Sequence, residues 1–116
     1  MLIKWVVCTV TDRPGFSTGQ SGWGELRDLP GFLGQSGGWS RTGPDRAEIV
    51  ACWQDDASYQ AFMAGPHDRL AAAQSGTYDS IQVRLFEADR PPALDDRIVL
   101  EPAWTVTGTE GAAPAR

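Results

Sequence analysis

The chain is short of the residues from which most self-evident active sites are built. Its 116 residues hold one histidine, His67, and two cysteines, Cys8 and Cys52. One histidine and two distant cysteines cannot assemble a zinc site by themselves, so no metal is expected. Basic side chains are also in deficit: 10 Lys and Arg stand against 15 Asp and Glu, a net charge of −5. That balance argues against nucleic acid or an anionic membrane surface as partner. No apolar run approaches the roughly 20 residues a membrane span requires. The opening stretch MLIKWVVCTV is too short and too β-branched for a secretory leader, and no small-residue cleavage site follows it, so a cytoplasmic location is expected. Phosphate-binding loops are missing as well. Gly34 and Gly37-Gly38 fall within a strand-like run and lack the helix and lysine that follow in such loops. No nucleophile elbow, His–carboxylate pair or dinucleotide fingerprint is present, so bound nicotinamide or flavin is not expected.

What remains is a globular chain, with 41% hydrophobic residues, of a length that makes one domain. Cys8 and Cys52 both sit in apolar, strand-like runs, where buried free thiols are expected rather than a disulfide.

Along the chain, LIKWVVCTVT (residues 2–11) is β-branched or aromatic at both parities, the pattern of a strand covered on both faces and central in its sheet. Asp12 and Pro14 mark a helix start. Phe16 to Leu29 then places Phe16, Trp23 and Leu26 near one helical face. Gly19, Gly22 and Gly24 each cost such a helix about 0.8–1 kcal/mol relative to Ala, so they either admit close packing or leave room for something bound. Pro30-Gly31 ends it. Phe32 to Trp39 reads as a second strand, with Gly37-Gly38 as a bulge or a close backbone approach. The turn Thr42-Gly43-Pro44 leads to a third strand, Arg46 to Trp53, giving a hairpin.

Asp55 caps the next helix, whose Tyr59, Phe62 and Met63 share a face. Gly65-Pro66 breaks that helix and opens another at His67, and Gly76 ends it. Asp79 to Ala88 alternates Ile81, Val83 and Leu85 with Gln82 and Arg84 as a last core strand. The order βαββαβ predicts an α+β, ferredoxin-like fold: a four-stranded antiparallel sheet with helices on one face and the second helix broken at Gly65-Pro66. The uncovered face of strands one and three calls for a second copy of the chain, so a homodimer with sheets face to face is expected. Residues 1–89 form this domain. Residues 90–116 are an extension, read either as an arm over the dimer partner, the preferred form, or as an extra edge strand, with GTEGAAPAR at its end disordered.

LIKWVVC, PGFLGQSGGW, CWQDDASYQAFM and HDRLAAAQSGTY together resemble a YdbC-like bacterial family of unknown function, over roughly residues 1–88. More broadly the chain looks like the dimeric α/β-barrel superfamily, which includes antibiotic-biosynthesis monooxygenases and haem-degrading monooxygenases. The resemblance implies a dimer with a pocket between sheet and helices in each protomer, and it names no reaction. It places the tryptophan and the haem-ligating histidine of the haem-degrading members at Phe62 and Ala72. Neither residue is kept here, so haem is not the favoured cofactor.

His67, at the start of a helix, is the expected catalytic group: a neutral imidazole there serves as base or hydrogen-bond donor. The competing reading is a surface residue beside Asp68. Among the five tryptophans, Trp23 and Trp39 are pocket candidates because glycines flank them. Trp53, Tyr59, Phe62, Tyr78 and Gln35 complete the expected substrate-binding set, each weighed against plain packing. The expected function is a cofactor-independent tailoring enzyme of secondary metabolism, of monooxygenase or cyclase type, acting on a small aromatic, polyketide-like substrate. The alternative is a non-catalytic dimeric protein that binds a hydrophobic small molecule or haem.

Overall fold

Strand β1 (Leu2–Val10) lies at the centre of the sheet because both its edges are hydrogen-bonded, to β3 (Arg46–Trp53) on one side and β4 (Tyr78–Glu87) on the other. β2 (Phe32–Ser40) pairs with the far edge of β3, and the core order β4-β1-β3-β2 is antiparallel throughout. This is the ferredoxin-like α+β fold. The computed structural model describes residues 1–94 and 96–109. Among these, no helix is long and apolar enough to cross a membrane.

The described residues form six strands rather than four. β5 (Ile98–Leu100) and β6 (Val106–Thr107) both pair with β2, so residues 98–107 form an edge of the chain's own sheet instead of an arm. The reason lies at Gly38: a Cβ placed there would come 2.0 Å from the Val99 carbonyl oxygen, so only glycine lets β5 approach. The bulge anticipated near Gly37-Gly38 falls instead between Phe32 and Gly34. Gly38→Ala should therefore detach β5 at a cost of about 1–3 kcal/mol. Amide exchange would show it as lost protection at Glu101, whose N–H donates to the Gly37 carbonyl at 2.8 Å, with β1 unchanged. Gly108 and Thr109, expected to be disordered, donate their N–H groups to the carbonyls of Leu33 and Arg27. Residues 110–116 lie outside the described residues.

The helical layer follows its caps. Asp12 accepts the Gly15 N–H at 3.0 Å and starts α1 (Arg13–Ser21). The predicted single helix to Leu29 instead tightens into a 3-10 helix over Gly22–Asp28. Gly19 has a packing role, since a Cβ there would meet Gln74 Cγ at 2.5 Å, whereas Gly22 and Gly24 face open space. Asp55 accepts the Ser58 N–H at 2.8 Å and starts α2 (Asp56–Ala64), a bond that holds its carboxyl below the usual range. The chain breaks at Gly65-Pro66 and resumes as α3 (His67–Ala72).

On the helix side, one core gathers Leu2, Phe32, Trp53, Tyr59, Phe62 and Leu70, and a second joins Phe16 and Trp39 to Trp104. The other face is less bare than expected. Ile3, Val50 and Cys52 are buried there by Met1, Leu33, Phe86, Ala88 and Leu94, because the link from β4 to β5 crosses that face between opposite sheet edges.

Candidate active site

A cavity of about 340 Å³ lies between the sheet and the helical layer. Its floor comes from one parity of the sheet: Lys4, Val6 and Cys8 of β1, Ile49, Ala51 and Trp53 of β3, and Gln35 of β2. Residues paired across the ladder share a face, which is why Lys4, Ala51 and Gln35 stand side by side. The roof consists of Phe16 and Gln20 of α1, Trp23 and Leu26 of the 3-10 helix, Tyr59, Phe62 and Met63 of α2, and His67, Ala71 and Gln74 from α3 and its exit. At the β4 edge, Ile81 and Val83 form an apolar lip and remain about half exposed.

Of the residues singled out in the sequence, His67, Trp23, Trp53, Tyr59, Phe62, Tyr78 and Gln35 all line this cavity. Trp39 does not. It packs against Phe16 and Trp104 with ring centroids 5.9 and 5.2 Å away, and the Arg13 guanidinium covers it at 4.0 Å. The space its flanking glycine provides is taken by β5. Trp53 serves floor and core together, stacking on Phe62 at 5.1 Å.

His67 sits edge-on to Phe62 at 5.5 Å and to Trp23 at 6.1 Å. Its Nδ1 is 3.1 Å from the carboxylate of Asp68, a His–carboxylate pair where none was expected from the sequence, and its Nε2 has no protein partner among the described residues. The ring is thus oriented by one nitrogen and offers the other. The wall carrying Trp23 is tied to α3 by a two-pronged bond from Arg69 to Glu25, both contacts at 2.7 Å.

Three hydrogen-bonding or charged cavity residues, Gln74, Gln20 and Lys4, are absent from the set expected from the sequence. Gln74, 6% exposed, donates to the Phe16 carbonyl at 3.2 Å and to Gln20 Oε1 at 2.9 Å, and accepts from Trp23 Nε1 at 3.1 Å. This buried network fixes the Trp23 ring as one wall. Gln20 is equally buried beside it. The third is Lys4, the only lysine in the chain and 9% exposed. Its Nζ lies 5.3 Å from the Tyr59 ring centroid and 5.9 Å from that of Phe62. Burial lowers its pKa from 10.5 to about 8. A lone lysine within an otherwise apolar strand was the available signal. Burial also pushes the Cys8 thiol up to about 11, and raises Tyr59 with a further push from Asp56. Both cysteines are free and buried. Among the described residues, no three His, Cys, Asp or Glu groups gather to hold a metal ion.

The ferredoxin-like fold is shared with solved structures. SnoaB, a cofactor-independent oxygenase from Streptomyces nogalater, matches with a TM-score of 0.65 and 19% identity, over 77% of this chain and 93% of that one. The heme-degrader MhuD from Mycobacterium tuberculosis, solved with two hemes bound in its active site, matches at 0.61 and 22%, over 80% and 100%. A family described as a domain of unknown function (DUF4937) matches residues 2–86, and the chain belongs to it. It is also 36% identical to the uncharacterized protein YdbC of Bacillus subtilis, across 91% of this chain and 98% of that protein.

The residues present do not fit haem in the manner the sequence resemblance suggested. Phe62 is a buried wall stacked on Trp53. Ala72 is exposed, stands outside the cavity lining and carries no donor atom.

Proposed function

We propose that the chain is a cofactor-independent tailoring enzyme, of monooxygenase or cyclase type, acting on a small aromatic, polyketide-like substrate. The observation that carries this reading is a cavity walled by Trp23, Trp53, Tyr59 and Phe62 with the only imidazole of the chain at its edge. Flat aromatic walls select a ring system. The open Nε2 of His67 takes a proton from an acidic C–H or phenol of the bound substrate, with Asp68 orienting the ring. The resulting carbanion or phenolate, nucleophilic at ring carbon, then reacts with molecular oxygen or closes a ring. The likeness to SnoaB agrees with that chemistry.

The test is oxygen uptake by purified protein with a panel of anthrone-type phenols. His67→Ala should lower turnover about a hundredfold, the contribution of one positioned base. Undiminished turnover in the variant removes His67 from the mechanism. Ligand binding with no turnover on any substrate favours the second reading, a binding protein for a hydrophobic small molecule.

The working unit we propose is a homodimer joined through the sheet face opposite the helices. Light scattering at micromolar concentration should give twice 12.6 kDa, and a monomer mass overturns the dimer.

A further inference from the structure

The cavity has a charge imbalance that the proposed chemistry leaves unused. The chain as a whole is acidic at −5, yet no Asp or Glu lines the cavity, while its floor carries the one lysine. Lys4 forms no ion pair among the described residues. The buried carboxylate nearest along the sheet, Glu48, belongs to the other parity of β3, where Arg46 holds it at 3.2 Å and Trp5 Nε1 at 3.0 Å. Lys4 is nine-tenths buried as a residue, its ammonium enters the cavity over the Tyr59 and Phe62 rings, and among the described residues it has no counter-charge.

We infer that Lys4 is the anion-holding group of the cavity and that its ligand is an aromatic anion, its negative oxygen on Nζ and its rings against the aromatic wall of Trp53, Phe62 and Trp23. The inference rests on the reading of this cavity as the substrate site and narrows the substrate to a phenolate, an enolate or an aryl carboxylate. The ammonium also has a use in turnover: removing a proton from a phenol or acidic C–H leaves charge on oxygen, and a preplaced cation stabilises that charge. Lys4 and His67 both lie against the Phe62 ring, so one bound ring system reaches both.

Tryptophan-fluorescence titrations of the full chain with 2-naphthoate and its neutral analogue 2-naphthamide test this directly. The titratable groups facing Lys4 are Cys8 of its own strand, Tyr59 of α2, His67 of α3 and Tyr78 of β4; β2 and β3 contribute none to the cavity. Near neutral pH the wild type should bind the anion about tenfold more tightly, roughly one charge-assisted hydrogen bond. That preference should fade as pH passes about 8, where Lys4 loses its proton. Lys4→Met should abolish the preference while still binding both probes, and Lys4→Arg should keep it at alkaline pH. A third probe, 4-nitrophenol, reports through its phenolate absorbance: enhanced ionisation on binding marks a phenolate site, and a preference confined to naphthoate marks a carboxylate site. Both results support the inference. Equal binding of charged and neutral probes, a preference that survives Lys4→Met, or no binding of either probe overturns it. These are binding measurements, so they stand apart from oxygen uptake: an inactive protein that keeps the anion preference overturns only the enzymatic reading.

Discussion

Lys4→Met will unfold about 10 °C above the wild-type chain near neutral pH, a gain of about 3 kcal/mol. The size follows from the ammonium's displaced titration, from 10.5 to about 8, caused by burial without a counter-charge. Below pH 8 the lysine is charged in both folded and unfolded chains, and the full penalty of burying it falls on the folded state. Between about 8 and 10.5 the unfolded chain still binds a proton that the folded one has released, so the wild type gains stability as pH rises. Above 10.5 the penalty is gone. The advantage of the methionine variant should therefore be constant in acid and neutral solution and vanish by about pH 10.5.

The comparison must be made between the two proteins at each pH. Cys8, with its thiol raised to about 11 from 9.0, contributes stability that is complete below 9 and lost as pH rises through 11, the opposite trend. Subtracting one denaturation curve from the other removes that contribution. A methionine variant no more stable than wild type at neutral pH would mean that Nζ escapes to solvent. A charge kept at this cost is what the anion-holding role inferred for Lys4 would require, since function is commonly retained at the expense of stability.

Trp104→Ala should destabilise the fold by about 4 kcal/mol and lower its Tm by more than 10 °C. The residue is fully buried although it lies in the extension beyond the family match at residue 86. Its ring meets Phe16 at 5.6 Å and Trp39 at 5.2 Å, and its Nε1 donates to Ser17 Oγ at 3.2 Å. Its backbone carbonyl accepts from Gln35, so it also steadies a cavity residue. Removing residues 90–116 deletes Trp104, β5 and β6 together, and that chain should show no cooperative unfolding transition. Trp104→Phe, which keeps most of the buried area, should retain one. If the truncated chain melts like the full one, the extension is an appendage and its packing is dispensable.

Much of the candidate site's lining is legible in the sequence, for a local reason. Tyr59, Phe62 and His67 could be placed because helical spacing and the Gly65-Pro66 break fix which side chains share a surface within a few residues. Lys4 could not. β1 is apolar at both parities, so nothing in its own pattern says which face meets the helices. Only the pairing of Lys4 with Ala51 and Leu85, and the helices laid above Ala51, decide it. Trp39 was misplaced for a related reason: glycine beside an aromatic ring leaves space, but sequence does not say what enters it. A ligand was expected. The backbone of β5 arrives instead, brought from the far edge of the sheet by a three-residue strand too short for any periodicity to announce.

The sequence by itself determined the order of elements, their caps, the broken second helix and most of the aromatic wall, because each depends on contacts within a turn or two of the chain. Tertiary structure alone decided that residues 98–107 close the sheet edge, that Trp104 completes a core, and that an ammonium with no ion-pair partner among the described residues faces the cavity. Those three depend on residues dozens of positions apart, and their energies exist only once the strands have paired.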